Sequence, residues 1–141
     1  MSSVQIIRFT VVTPSKTAIV DVTHLVRQAV EQSGISDGLC VVYVPHTTCG
    51  VVINENADPD VRSDLMLALE TLVPNLHTYR HAEGNSPAHI KTALVGVSQC
   101  IPVEKGNLCL GTWQGVFLCE FDGPRSRTLV VQLVAASSGP T

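Results

Sequence analysis

Two kinds of apolar spacing alternate along this chain, and turn residues separate them. Short apolar or alternating runs bounded by Gly, Pro, Asn and Asp are typical of strands. The strands predicted in this way cover residues 4–12, 17–22, 39–45, 50–53, 97–103, 108–110, 116–121 and 128–135. The run 39–45 is apolar almost throughout, which predicts a strand buried on both faces.

Helical spacing of apolar residues, together with start signals, predicts three helices. They cover residues 24–33 after a Thr23 cap, 59–73 after an Asp58 cap, and 87–95 after a Ser86 cap. The apolar stripe of the second helix consists of Val61, Leu65, Leu69 and Leu72. Because strands precede, separate and follow the helices, we predict an α+β fold. One compact domain over residues 1–136 would combine a mixed or antiparallel sheet with two or three helices, and residues 137–141 would form a loose tail.

The composition of the 141 residues predicts an aliphatic core and self-association. Apolar residues make up 45 % of the chain, charged residues 15 % and aromatic residues 4 %. Together with a positive mean hydropathy, this low charge predicts that another subunit covers part of the apolar surface. A well-packed monomer is the alternative. The net charge of −3 and the lack of a Lys/Arg run argue against a nucleic-acid partner.

Targeting signals and cysteine use indicate the compartment. No apolar stretch is long enough to cross a bilayer as a helix, and the N-terminal residues lack a signal-peptide layout. We therefore expect a cytoplasmic protein without a membrane partner.

The five cysteines form no CxxC pair, so neither a disulfide framework nor a zinc ribbon is predicted. Cys49, three residues from His46, is either a packing thiol or a reactive or ligating one.

Three histidines stand out because they lie in two short polar stretches, 46–56 and 81–89. A catalytic zinc ion accepts imidazole nitrogens and keeps one position open for water or substrate. His46, His81 and His89 could supply such a site, although no HExxH-like spacing supports it. Hydrogen-bonded loop histidines are the alternative. We expect His24 and His77 to be ordinary surface histidines.

The start of the third predicted helix could bind an anion. Free backbone N–H groups at a helix N-terminus attract phosphate, and Gly84 and Asn85 would let a ligand come close to Ser86. If His89 lies in the first turn, it stands beside the anion position. A capped helix with nothing bound is the alternative.

Arg125 and Arg127 could form a second anion-binding element. Strand alternation puts both on one face, and two guanidinium groups on one face can clamp a phosphate or a carboxylate. The alternative is a solvated strand end with unpaired arginines. Glu120, across the predicted turn, could also pair with either of them.

Glu55 is a candidate for proton transfer. It lies between Asn54 and Asn56, after a buried strand and before a helix. Its carboxylate could act as a general base or orient a histidine N–H. Asn56 or Asp58 can simply satisfy the hydrogen bonds of the turn and the helix cap.

The three polar segments together are more specific than any one of them. They read HTTCGVVINEN at 46–56, HAEGNSPAH at 81–89 and LGTWQGVFLCEFDGPRSR at 110–127. This set resembles the YjbQ-like family, of which some members are described as secondary thiamine-phosphate synthases. The resemblance extends from about Val4 to Val134.

The resemblance implies a compact α+β fold, a homotrimer and a metal-associated pocket. His46, His81 and His89 match the histidines of the family, and further matches are Asn54, Glu55, Asn85, Arg125 and Arg127. Cys49 departs from the family pattern, where a small residue is common. The implied reaction joins a hydroxymethylpyrimidine diphosphate to a thiazole phosphate and releases pyrophosphate.

We therefore predict a metal-dependent transferase that acts on a phosphorylated small molecule. The three histidines would hold a divalent metal, for which zinc is the first choice, although imidazoles also accept nickel, cobalt or iron. Arg125, Arg127 and Ser86 would bind phosphate, while Glu55, Asn54 and Asn85 would take part in catalysis. A non-catalytic trimeric protein that binds a metal or a phosphorylated metabolite, and a metal-dependent hydrolase, are the alternatives.

Overall fold

The computed structural model describes residues 4–137, which form eight strands and three helices. In chain order these are β1 Val4–Val12, β2 Ala18–Asp21, α1 Thr23–Ser33, β3 Gly38–Tyr43, β4 Cys49–Glu55, α2 Pro59–Leu72, α3 Ser86–Val95, β5 Ser98–Glu104, β6 Asn107–Leu108, β7 Gln114–Glu120 and β8 Ser126–Ala135. The predicted α+β class is confirmed, and each predicted element is present with its ends shifted by at most two residues. Of the predicted tail 137–141, all but Ser137 lies outside the described residues.

The strands form two antiparallel sheets. One has the order β1-β8-β3-β5-β6, and the other has the order β2-β7-β4. In the first sheet, Cys40 of β3 lies opposite Leu133 of β8. In the second, Glu120 at the end of β7 lies opposite both Ala18 of β2 and Cys49 of β4. This second register decides where the polar segments meet, because it brings the end of β7 beside the start of β4.

The core is built from aliphatic residues that alternate along the strands. In β8 the fully buried residues are Leu129, Val131 and Leu133, with half-buried residues between them. They pack in one cluster with residues of both sheets and with Val26, Ala29 and Val30 of α1. Apolar residues at every second position of the strands and at about every 3.6 positions of α1 therefore pack in the same core.

Two predictions of burial are wrong. Residues 39–45 do not form a strand buried on both faces, because β3 alternates and exposes Leu39 and Tyr43. An antiparallel sheet with one open face requires this alternation. On α2, Leu72 is 72 % exposed rather than part of the apolar stripe, because it is the last residue of the helix.

The helix starts also differ in detail from the predicted caps. Asp58 caps α2 as predicted, since its carboxylate accepts the N–H of Asp60 at 2.9 Å. Thr23 does not cap α1; its hydroxyl accepts the N–H of Val116 at 2.9 Å. In α3 the cap position belongs to Asn85 rather than Ser86. No helix within residues 4–137 combines the length and the apolar character needed to span a membrane.

Much of the outer face of the five-stranded sheet is apolar and exposed within residues 4–137. The strand register aligns Val4 with Val134 and Leu39 in one row, and Val130 with Tyr43 in another. Four large apolar residues of this face are between 42 % and 46 % exposed, namely Val4, Ile6, Leu39 and Tyr43. We call this surface, with Val130 and Val134, the outer sheet face. Gln132 lies between Ile6 and Val41 on this face, and Arg8 is opposite Val130, so the apolar residues form patches of the kind that another subunit often covers.

Candidate functional site

One pocket collects most of the polar residues that the sequence singles out. It has a volume of about 430 Å³ and lies between the loop after β3, the segment that leads into α3, and the connection from β7 to β8. Its lining consists of Pro45, His46, Thr47, Thr48, His81, Glu83, Asn85, His89, Asp122, Arg125 and Arg127. We call it the histidine pocket. All three histidines, both arginines and Asn85 of the predicted site therefore line one cavity.

His81 and His89 are neighbours in this pocket. Their ring centres are 5.2 Å apart, and the ring planes are nearly perpendicular at 89°. His89 belongs to the first turn of α3, whereas His81 belongs to the segment before it. Two imidazoles on one tetrahedral metal place their ring centres about 5 Å apart, so this pair is spaced as two metal ligands would be.

His46 is engaged differently, because its Nε2 accepts the backbone N–H of Thr128 at 2.9 Å. An Nε2 that accepts a hydrogen bond in this way uses the lone pair that a metal would need. Burial lowers the pKa of His46 below its ordinary value of 6.5; Arg127 and Arg125 lower it further, whereas Glu120 opposes the shift. The ring therefore stays neutral, and it ties the loop after β3 to the start of β8.

The predicted set of three metal ligands is not assembled in this arrangement. Among residues 4–137, no group of three or more His, Cys, Asp or Glu side chains is arranged to hold a metal ion. His81 and His89 are neighbours, whereas His46 would first have to release Thr128 to join them as a ligand.

A buried ion pair between Glu120 and Arg127 supports the floor of the pocket. Arg127 donates from Nε and Nη2 to the two carboxylate oxygens of Glu120, and Nη2 also donates to Oγ1 of Thr48 at 2.9 Å. Glu120 also accepts the hydroxyl of Thr13 at 2.7 Å and the N–H of Asp122 at 3.0 Å. Both charged side chains are almost fully buried. Arg127 is therefore held in place and is not the free phosphate clamp that was predicted.

Electrostatics stabilise this pair in its charged form. Burial by itself raises the pKa of Glu120, but the hydrogen bonds from Arg127, Thr13 and the Asp122 N–H outweigh it, so the pKa lies below its ordinary value of 4.5. The pKa of Arg127 is raised, because the bond and the charge of Glu120 outweigh the effect of burial. The two opposite charges thus neutralise each other in a fixed ion pair beside the pocket.

Arg125 is the more available of the two arginines. Its Nε donates to the backbone oxygen of Asp122 at 2.7 Å, and its Nη2 donates to Asp122 Oδ2 at 3.0 Å. Its side chain is 53 % exposed, so the remaining N–H groups can reach a ligand. Asp122 also accepts an N–H of Asn85 at 2.9 Å, which joins the connection after β7 to the start of α3. Although burial raises the pKa of Asp122, these two partners lower it below the ordinary 3.8.

Three predicted site residues lie outside the histidine pocket. Asn54 and Glu55 are at the far end of β4, five and six residues from Cys49, which corresponds to roughly 17–20 Å along a strand. The carboxylate of Glu55 accepts the N–H groups of Ala57 and Asp58 at 2.7 and 3.1 Å. Ser86 lines another depression, which shares only His81 and His89 with the histidine pocket.

The structure also decides between the two interpretations of Cys49. Burial, with Glu120 as a second cause, raises the pKa of its thiol to about 12. Cys49 is fully buried and does not line the histidine pocket. A thiol of this kind packs as a small apolar residue and is not a reactive group or a ligand.

Sequence reasoning missed several residues that organise the pocket. Glu120 was noted only as a partner of an arginine, whereas Thr13, Thr48 and Asp122 were not noted as site residues. Glu120 and Asp122 could have been found, because they occur in the same EFDGPRSR segment as the two arginines. Thr13 gives no local signal, since its role depends on contact with residues more than 100 positions away.

Relatives of this chain carry the same domain over nearly their whole length. A UPF0047 protein of Methanocaldococcus jannaschii is 46 % identical over 127 residues, which cover 90 % of this chain and 92 % of the relative. The UPF0047 protein YugU of Bacillus subtilis is also 46 % identical, over 86 % of this chain and 93 % of its own.

Solved structures and a family model agree with these relatives. A Clostridium acetobutylicum protein of the YjbQ/UPF0047 family is 50 % identical, with a TM-score of 0.88 over 91 % of this chain and 99 % of its own. A YbjQ-like protein of Sulfolobus solfataricus is 33 % identical, with a TM-score of 0.90 over 94 % and 98 %. The family model described as UPF0047 protein YjbQ-like matches residues 7–136. The chain therefore belongs to the YjbQ-like family of UPF0047 proteins.

Proposed function

We propose that this chain binds a phosphorylated small molecule in the histidine pocket and acts on it as a transferase of the thiamine-phosphate synthase type. The observation that carries this proposal is that three histidines and two arginines from distant parts of the sequence line one cavity. The cavity volume of about 430 Å³ lies in the range of small-molecule sites.

The chemistry of the lining suits a phosphate group. Arg125 offers guanidinium N–H groups from a half-exposed side chain, and its position is stabilised by Asp122. Arg127 lies beside Arg125, but its charge is neutralised by Glu120 and its Nε and Nη2 are occupied, so the guanidinium donors for a phosphate come from Arg125. Charged donors of this kind form the strongest hydrogen bonds to phosphate oxygens.

A divalent metal, with zinc as first choice, forms part of this proposal. His81 and His89 would hold it, and when bound it would supply positive charge against the phosphate. His46 would keep its bond to Thr128 and shape the wall of the pocket.

One observation favours a non-catalytic binding protein as a second candidate. Glu55, the predicted general base, is remote from the pocket in one protomer, and its carboxylate is engaged by two backbone N–H groups. A protein that only holds a phosphorylated metabolite needs the histidines and Arg125, but it does not need Glu55.

The test is metal analysis together with a turnover assay on hydroxymethylpyrimidine diphosphate and thiazole phosphate. We expect bound metal after dialysis against zinc, and product and pyrophosphate in equal amounts. Arg125→Ala should weaken binding of the diphosphate about tenfold to a hundredfold, because a charged hydrogen bond is lost. Arg27→Ala, an exposed change on α1, is the control and should have no effect.

Each outcome of this assay has a clear meaning. Saturable binding that depends on Arg125, without turnover, would favour the binding protein. Equal diphosphate binding by Arg125→Ala and the unaltered chain would contradict the proposed pocket. Neither result depends on how fast the reaction is.

We further propose that the chain forms a homotrimer through the outer sheet face and works in the cytoplasm. Trimer formation predicts a native mass of about 45 kDa, three times the 15.1 kDa of one chain. Ile6→Lys should lower this mass in analytical ultracentrifugation, because a charge would be buried on the face. Leu67→Lys, at an exposed position of α2, is the matched control and should leave the mass unchanged.

The reactivity of the Cys100 thiol gives a second test of the trimer. Cys100 lies on the outer side of β5, opposite Val41. A covering subunit should protect it from thiol reagents, and Ile6→Lys should remove this protection. A monomeric mass with a freely reactive Cys100 in the unaltered chain would refute the trimer.

A further inference from the structure

A second pocket adjoins the histidine pocket and shares part of its wall. It has a volume of about 510 Å³ and is formed in part by Lys16, Glu70, Lys91 and Phe121. We call it the lysine pocket. The two pockets have three residues in common, namely Glu83, Asn85 and Asp122. A ligand held by its phosphate in the histidine pocket could therefore extend into the lysine pocket.

Lys91 is unusual because its ammonium group is buried. The residue is only 4 % exposed, on the inner face of α3. Its Nζ donates to Glu70 Oε1 at 2.9 Å and lies 5.8 Å from the centre of the Phe121 ring. An ammonium group has three N–H donors, and within residues 4–137 the bond to Glu70 engages one of them. Lys91 thus has donors to offer to an acceptor in the pocket.

Asn85, which lines both pockets, has a hydrogen-bond acceptor without a partner. Its amide nitrogen donates to Asp122 Oδ2 at 2.9 Å, whereas its Oδ1 is buried and has no hydrogen-bond partner in the described part of the chain. A reversed amide would set its oxygen against the Asp122 carboxylate, so the observed orientation is the favourable one. A buried acceptor without a partner is destabilising and would be relieved by a donor.

The unused N–H donors of Lys91 and the unpaired Oδ1 of Asn85 together favour a ligand group that both accepts and donates a hydrogen bond. A hydroxyl group does both with one oxygen atom. A second phosphate fits less well in the lysine pocket, because the carboxylate of Glu70 lines it and pairs with Lys91, whereas the histidine pocket has the half-exposed guanidinium of Arg125.

We propose that the lysine pocket binds the hydroxyl-bearing body of a phosphomonoester, such as a sugar phosphate, whose phosphate occupies the histidine pocket. This inference rests on the proposed function, since it requires that the histidine pocket hold a phosphate. It adds a further class of ligand, because neither the pyrimidine diphosphate nor the thiazole phosphate carries a free hydroxyl. Lys91 would donate to a ligand hydroxyl, and Asn85 Oδ1 would accept from one.

Calorimetric titration with inorganic phosphate and with ribose 5-phosphate tests this inference. We expect ribose 5-phosphate to bind at least about tenfold more tightly than inorganic phosphate, since it adds a hydrogen bond to a charged donor. Lys91→Met should remove most of this difference while inorganic phosphate binds as before. Lys105→Met, in the exposed turn after β5, is the control and should change neither affinity.

The outcomes separate this inference from the proposed function. Equal affinities for the two ligands, or an advantage of ribose 5-phosphate that survives in Lys91→Met, would overturn the lysine pocket while phosphate binding stands. If neither ligand binds, or if Arg125→Ala binds both unchanged, the proposed function fails as well. Circular dichroism confirms folding, and Lys91→Gln, whose amide can still donate to Glu70, replaces Lys91→Met if that variant does not fold.

Discussion

Replacing Glu120 with glutamine should lower the free energy of unfolding by about 3–5 kcal/mol. The substitution leaves the guanidinium group of Arg127 buried without its counter-charge. It also weakens the bonds to Thr13 and to the Asp122 N–H, which join β1 to the connection after β7. Urea denaturation measures the loss. Glu104→Gln, at an exposed position of β5, is the control and should change the free energy by less than about 0.5 kcal/mol.

The double variant Glu120→Gln, Arg127→Met makes this prediction sharper. Removing both charges should recover much of the lost stability, because a buried pair replaced by apolar groups is often nearly neutral. If Glu120→Gln alone loses less than about 1 kcal/mol, the pair does not support the pocket in the way we describe.

The same pair predicts how acid acts on the protein. The pKa of Glu120 lies below its ordinary 4.5 in the folded state, so its contribution to stability is present above pH 4.5. It is lost as the pH falls below 4.5 through the lowered folded value. Glu120→Gln should therefore show a smaller loss of stability over this acidic range than the unaltered chain.

Replacing His89 with alanine should abolish metal binding and weaken binding of the phosphorylated ligand. Loss of groups that merely orient a metal ligand already reduces affinity tenfold to a hundredfold, so loss of the ligand itself should cost at least about a hundredfold. The two-histidine pair cannot form without His89, because His81 is its only partner at 5.2 Å within residues 4–137. Elemental analysis and competition with a chromogenic chelator measure the effect.

His77→Ala is the matched control for His89→Ala. His77 is exposed, and it does not line the histidine pocket. The unfolding free energy of both variants should stay close to that of the unaltered chain, since neither side chain belongs to the core. Full metal occupancy in His89→Ala would show that the pair is not the metal site.

Local patterns in the sequence were sufficient for the elements of the fold. The Asp58-Pro59 start of α2 and the alternation in β8 depend on neighbouring residues, and both are present in the structure. Errors arose where burial depended on a distant partner. The run 39–45 is apolar on both sides, yet Leu39 and Tyr43 on the outer side of β3 are exposed within residues 4–137.

The candidate site also depends partly on local sequence segments and partly on contacts between distant residues. Six of the predicted residues share the histidine pocket, because their segments all end at one side of the fold. Glu55 does not, although it is only nine positions from His46, because β4 carries it away along the sheet. Arg127 has the chemistry of a phosphate ligand, but contact with Glu120 makes it a buried structural cation.

The sequence by itself determined the elements, the fold class and the three segments that hold the polar chemistry, since helix caps, strand alternation and turns are short-range effects. The tertiary structure alone decided which of those polar groups meet and which are free to bind. Strand register is the physical reason. Pairing Cys49 with Glu120 sets the buried ion pair beside the histidines and leaves Glu55 at the far end of β4, and no local pattern specifies that pairing.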